Sequence, residues 1–258
     1  MDLKLKDKLF VVCGSTSGFG GSIAKALINE GANVIAVARS EDNIKKLENQ
    51  FPGKVEGVAK DVTQSSTISF LKDKVGDRQL DGILINAGGP PAKSFIETDL
   101  KDWDGAYKSL LRWKVEITKA FIPKFTKQNY GRLLFVESMS VKQPVENLVL
   151  SNSLRLSVVG FVKTLSQEVA DRGITLNILA PGYHDTQAMQ RLFVKRSEVL
   201  KISVEEAKKQ FESEIKMGKM GSPDEFASLA IWLLSPISKY ITGQTISVDG
   251  GLIKSVFG

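Results

Sequence analysis

The sequence is short of the residues that most often hold metals or cross-link small folds. It has one cysteine, Cys13, and one histidine, His184, among 258 residues. A single thiol excludes an internal disulfide and a cysteine-rich zinc site, so no metal is expected. No run of about 18 apolar residues occurs, so no membrane span is expected. The opening stretch, MDLKLKDKLFVV, lacks the apolar core and small-residue cleavage site of a secretory signal, and a cytoplasmic setting is the expectation. Repeats, low-complexity tracts and linkers are also missing. There is no basic run, aromatic platform or zinc-finger spacing, which argues against nucleic acid. The net charge of +6 and pI near 9.2 come from lysines that stand beside acids, as in SEDNIKKLENQ and SVEEAKKQFESEIKMGK. A solvated surface explains them best, a phosphate-bearing ligand next.

What is present fits one large α/β domain over 1–258: 42% hydrophobic and 25% charged residues, as in an ordinary globule. Short apolar runs at 8–13, 33–38, 54–59, 81–86, 132–137, 174–179 and 244–249 read as strands. Amphipathic stretches near 18–30, 41–50, 65–75, 99–127, 148–171 and 223–235 read as helices. Apolar-throughout strands joined by helices imply a doubly wound, seven-stranded parallel sheet flanked by helices on both faces. Gly31 is a stop signal, and Ser222-Pro223 with Glu225 a start signal. The charged helical segment 185–221, with a capping box at Ser203 and Glu206, interrupts the rhythm. It leaves from a strand's carboxyl end, where open α/β sheets bind ligands, and is read as a substrate lid.

After the first strand comes CGSTSGFG (13–20). Gly14, Gly18 and Gly20 permit a tight turn and close approach of backbone to a diphosphate at a helix start. Between a first strand and a first helix, this spacing marks a dinucleotide site.

On these residues, with Asp61-Val62, INAGG (85–89), VES (136–138), APGYHDT (180–186) and YITGQTISVDGG (240–251), the chain resembles the short-chain dehydrogenase/reductase family over its full length. In detail it is most similar to the 3-oxoacyl-carrier-protein reductase-like group. The resemblance implies a Rossmann-type fold, a homodimer or homotetramer, and hydride transfer between a nicotinamide and a small-molecule ketone or secondary alcohol, such as a 3-oxoacyl thioester. It also carries Ser15, Ser17 and Phe19 of the glycine turn to the cofactor. Asp61 would meet the adenine, with Val62 nearby. Asn86, Ala87 and Gly88 would line the ribose, Pro181 and Gly182 the nicotinamide, and Thr186 the diphosphate. At the end of the second strand, Ala38 stands where an NAD-selecting acid would. Arg39 can instead hold a 2′-phosphate by charge-assisted bonds, with Ser40 as a neutral donor, so the cofactor expected is NADP(H).

The family's catalytic set is a serine, a tyrosine, a lysine four residues later, and an asparagine on the preceding helix. Counting along the chain matches the serine to Ser138, the tyrosine to Ser151, the lysine to Arg155 and the asparagine to Leu110. Ser138, Ser151 and Arg155 are therefore the candidate catalytic residues. An aliphatic hydroxyl is a far poorer acid than a phenol, and Arg155 stays protonated. Three readings stay open. Ser138 and Arg155 stabilise charge on oxygen while water or the cofactor ribose passes the proton; Tyr183 or His184 supplies the proton; or the chain binds NADP(H) without turnover, as a sensor or scaffold. Arg112 and Lys114 read as surface or subunit-packing residues. Lys142, Glu146, Asn147 and Asn152 read as residues of a helix start, and Cys13 as a small, buried, inert residue.

Overall fold

A computed structural model describes residues 1–256. Seven strands form one parallel sheet: β1 (Leu9–Cys13), β2 (Asn33–Ala38), β3 (Val55–Ala59), β4 (Gly82–Ile85), β5 (Gly131–Val136), β6 (Ile174–Pro181) and β7 (Thr245–Val248), in the order β3-β2-β1-β4-β5-β6-β7. The interior strands β1, β4, β5 and β6 are buried along their whole length, which is why they read as unbroken apolar runs rather than alternating ones.

The helices are α1 (Gly18–Asn29), α2 (Glu41–Gln50), α3 (Ser65–Val75), α4 (Leu100–Tyr107), α5 (Trp113–Gln128), α6 (Val149–Val169), α7 (Gln187–Leu200), α8 (Val204–Glu214) and α9 (Pro223–Leu234). Apolar residues of α3, α5 and α6 cover one face of the sheet, among them Leu71, Phe121 and Val158. Those of α1, α2 and α9 cover the other, among them Ile23, Ile44 and Phe226. Segment 185–221 forms a helical hairpin, α7 and α8, with a small core of its own around Met189, Phe193 and Phe211. The capping boxes at Ser203–Glu206 and Ser222–Glu225 both form, and Gly31 takes a left-handed φ of +85° past the end of α1.

The long fourth helix departs from the expected single span 99–127. A π-helical turn, Lys108–Arg112, separates α4 from α5. The wider i→i+5 turn leaves no mark in hydrophobic periodicity. It carries Leu110, 1% exposed, at the back of the site.

The chain runs outward from β1 through β2 to β3, then returns to lay β4 on the other side of β1. That reversal opens a crevice at the carboxyl ends of β1 and β4. Gly14 follows β1 and Asn86 follows β4, so the glycine turn and the INAGG segment meet there.

Candidate active site

At the nucleotide end, steric facts fix the glycines. Gly14 has φ +68°, and a Cβ on it would sit 2.8 Å from the Asn86 amide nitrogen. A Cβ on Gly20 would sit 2.2 Å from the Gly14 carbonyl oxygen. Gly18 has φ +51°, and the nearest atom to its missing Cβ is the Thr186 methyl at 3.9 Å, so Thr186 faces the turn across the crevice. Helix α1 starts at Gly18 with no side-chain cap from Ser17 and no acid in its first turn. Its first N–H groups therefore lack side-chain partners at the positive end of the helix dipole, a seat suited to a diphosphate. A Cβ on Gly88 would meet nothing within 4 Å, leaving open space beside the turn.

The neighbouring residues divide into those that face this space and those that build it. Arg39 and Ser40 are exposed just past β2, and among the described residues Arg39 has no ion pair or side-chain hydrogen bond. Ser40 also caps α2, accepting from the Asn43 N–H at 3.3 Å. Asn86 is a wedge, its Nδ2 donating to the Cys13 carbonyl at 3.4 Å between Gly14 and Gly20. Ala87 packs on the α5–α6 side of the core. Asp61 closes a turn by accepting from the Thr63 N–H at 2.9 Å and hydroxyl at 2.8 Å, and Val62 is buried. Pro181 ends β6, and Gly182 lies so close to Asp249 that a Cβ would meet it at 2.6 Å. Thr186 caps α7, accepting from Met189 at 3.4 Å.

Several nearby side chains have partners within the protein. Ser15 is fully buried and its hydroxyl donates to the Val37 carbonyl at 3.2 Å, so its side chain ties the turn to β2 instead of facing a cofactor. Phe19 is half-buried, its ring 4.2 Å from Phe226 and 5.0 Å from His184, centroid to centroid. His184 is 3% exposed, edge-on to both rings, with Nδ1 on the Gly182 carbonyl at 3.2 Å. Burial lowers its pKa from the ordinary value, so it is held neutral and away from the crevice, unsuited to act as the acid. Tyr183 donates to Glu214 at 3.2 Å. Burial first, then the Glu214 charge, push its phenol up to about 12, the wrong direction for a proton donor. Cys13 is buried and its thiol is pushed up to about 12 by desolvation, as its inert reading requires.

At the other end of the crevice, Ser138 follows β5. Its Oγ accepts from the Ser140 N–H at 3.1 Å, which leaves its own O–H free to donate. Ser151 and Arg155 share one face of α6, both buried, and Arg155 Nε donates to Ser151 Oγ at 3.2 Å. Ser140 Oγ lies 3.5 Å from Ser151 Oγ. Arg155 Nη1 donates to Glu137 Oε2 at 2.9 Å. Its Nη2 faces the INAGG segment, 3.3 Å from where a Gly89 Cβ would stand.

The other carboxylate oxygen of Glu137 accepts from Lys114 Nζ. Lys114 is thus not a surface or subunit-packing residue: it is 1% exposed, in the centre of the molecule. Sequence reasoning missed both Lys114 and Glu137. The available signal was a carboxylate closing an otherwise apolar strand, RLLFVE, since a buried charge requires a buried partner. Asn152 keeps its structural reading, clasping Val145 through both backbone groups at 2.9 and 3.3 Å. Beside Met139 and Val145, a cavity of about 520 Å³ is lined also by Tyr183 and by Arg196, Glu214 and Lys216 of the segment that carries the α7–α8 hairpin.

Residues 14–253 match the sequence profile of the family described as enoyl-(acyl carrier protein) reductase. The 3-oxoacyl-[acyl-carrier-protein] reductase FabG of Aquifex aeolicus is 30% identical over 259 residues, covering 98% of this chain and all of that one. Dehydrogenase/reductase SDR family member 6 of Rattus norvegicus is 29% identical over 249 residues, 96% of this chain and 98% of its own. The crystal structure of L-sorbose reductase from Gluconobacter frateurii, complexed with NADPH and L-sorbose, superposes with a TM-score of 0.92 at 25% identity, over 99% of this chain and all of that one. With matches of this length, the chain belongs to the short-chain dehydrogenase/reductase family of oxidoreductases, similar to its 3-oxoacyl-carrier-protein reductase-like group.

Proposed function

We propose that this protein is an NADP(H)-dependent reductase that interconverts a ketone and a secondary alcohol, with a 3-oxoacyl thioester as the leading substrate class. The observation that carries the reading is that the segment 85–89 touches both parts: Asn86 wedges against Gly14 and Gly20 of the glycine turn, and Arg155, bonded to Ser151, reaches Gly89. Arg39, with no ion pair or side-chain hydrogen bond among the described residues and next to Ala38 instead of an acid, favours NADP(H) over NAD(H). The NADPH complex of the sorbose reductase, a protein similar over its full length, supports the same choice.

When bound, the cofactor supplies or accepts the hydride. The chain's own part is to hold the reacting oxygen and manage its charge. Ser138 donates its free O–H. Ser151 accepts from Arg155 and, with Ser140 as the donor in their 3.5 Å contact, turns its own hydroxyl hydrogen to the same oxygen. Arg155 cannot give up a proton at ordinary pH, so its part is electrostatic, stabilising negative charge as it develops on oxygen. Water entering the crevice supplies the proton, with Ser151 as relay. The α7–α8 hairpin, one wall of the cavity beside Met139, acts as the lid. The family resemblance leads us to a homodimer or homotetramer.

The rival reading, nucleotide binding without turnover, draws on the loss of the phenol at Ser151 and of the amide at Leu110. One experiment separates the two: NADPH binding by fluorescence alongside NADPH oxidation with a panel of 3-oxoacyl thioesters and ketones. Binding with turnover supports the reductase. Binding with every substrate inert supports the rival. Absence of binding defeats both.

A further inference from the structure

Glu137 spends both carboxylate oxygens on cations, Oε1 on Lys114 and Oε2 on Arg155, at 2.9 Å for the latter. The three side chains are 0%, 2% and 9% exposed, in the order Glu137, Lys114, Arg155. Water screens none of them well, and charge in such a place counts for more than on the surface. Two cations against one anion leave one surplus positive charge. Were Lys114 absent, Glu137 would neutralise Arg155 alone, and the guanidinium would have little attraction left for a substrate oxygen. Sharing the carboxylate frees part of the Arg155 charge. Arg155 is also the most exposed of the three, and the only one with nitrogens on Ser151 and beside Gly89.

We propose that Lys114 is the positioning residue that sets the charge of the reaction centre: by sharing Glu137 with Arg155, it leaves the guanidinium a net cation toward the crevice, ready for an oxygen that is or becomes anionic. This rests on the reading of Arg155 as the group that faces the reacting oxygen. It explains why a lysine and a glutamate are buried behind an arginine, where a neutral Arg–Glu pair would satisfy the interior equally well. It also makes the centre sensitive to pH through a residue that never touches substrate. The charged groups facing Lys114 are Glu137, at the end of β5, and Arg155, from α6; its own helix adds the uncharged Thr118, bonded to the Lys114 carbonyl. Desolvation, reinforced by Arg155 and opposed by Glu137, brings the Lys114 ammonium down to about 8. As pH rises through that value Lys114 becomes neutral, and the surplus disappears.

The test compares the full-length wild type with Lys114→Met and Lys114→Arg. Lys114→Met leaves Glu137 paired to Arg155, so no buried charge is orphaned. Near neutral pH its kcat is expected to fall roughly ten- to a hundred-fold, with NADPH affinity unchanged. The wild-type kcat should decline as pH rises past about 8, toward the level of Lys114→Met, whose own profile lacks that decline. Lys114→Arg, charged throughout, should retain turnover and also lack it. Should Lys114→Met fail to fold, the Arg variant carries the kinetic comparison.

A second readout needs no substrate. Between about 8 and 10.5 the unfolded chain holds a proton on Lys114 that the folded chain lacks, so wild-type stability should rise with pH relative to Lys114→Met across that window. A flat stability difference there, or a Lys114→Met enzyme that keeps the wild-type alkaline decline, overturns the inference. A wild type that binds NADPH but turns over nothing overturns the functional reading, while the stability curve still reports whether Lys114 titrates in the triad.

Discussion

In the function proposed, the β1–α1 end and the β5–α6 end of the crevice meet the same demand, receiving negative charge, by opposite means. At the first, backbone does it: Gly14 and Gly20 let the turn close to contact distance, and the start of α1 offers N–H groups without a competing cap. At the second, side chains do it: Lys114, Glu137 and Arg155 assemble a buried charge cluster from three elements. A backbone seat depends on the absence of side-chain atoms and tolerates little substitution. A charge cluster depends on a sum, and can be retuned by changing any member. The difference teaches that the first kind of site is tied to particular small residues, while the second leaves room for other side chains.

Substitutions sharpen that contrast. The largest effect should come from Gly20→Ala, whose methyl would lie 2.2 Å from the Gly14 carbonyl oxygen. The turn must open, and we expect NADPH binding to fall below detection in a fluorescence titration while the protein remains folded by circular dichroism. Near-normal binding would break the claim that backbone packing builds the seat. Next comes Arg39→Ala. Loss of charge-assisted bonds should weaken NADPH roughly ten- to a hundred-fold and leave NADH unaffected; equal effects on both nucleotides would refute the 2′-phosphate role.

The smallest effect on turnover should come from His184→Phe, which keeps the edge-on packing with Phe19 and Phe226. Activity near neutral pH should be unchanged. Because burial lowers the His184 pKa below its ordinary 6.5, the wild type loses stability as pH falls below that value and the folded state resists taking the proton. The variant should lack this acid-side loss in melting experiments. A large drop in kcat instead would restore His184 as a catalytic group.

Much of the nucleotide end was legible because its logic is local. Gly14, Gly18 and Gly20 lie within one turn, and the apolar run of β1 points straight at them. At the other end the sequence brought Ser151 and Arg155 together by their spacing of four, and the structure joins them by a hydrogen bond; their catalytic role stays a proposal. Lys114 and Glu137 are 23 residues apart in sequence, Glu137 and Arg155 18 apart, and only the tertiary fold makes them partners. Ser15, Phe19 and His184 sit in motifs that point to a cofactor, yet the direction of each side chain is decided by packing against β2 or α9, which motif spacing does not encode. The π-helical turn at Leu110 escaped for a related reason, since it shifts a helix face without altering the apolar pattern around it.

The central claim is that the intact nucleotide seat serves hydride transfer at a centre run by Arg155. Arg155→Ala leaves Lys114 and Glu137 as a neutral pair, so the fold and the seat should persist. The most direct measurement follows deuterium from NADPH labelled at the transferable position into a 3-oxoacyl thioester, for wild type and Arg155→Ala at saturating NADPH. The account predicts label on the carbinol carbon with wild type, and a rate roughly a hundred- to a thousand-fold lower for the variant. Equal rates for the two proteins, or no label transferred by a wild type that binds NADPH, would contradict it.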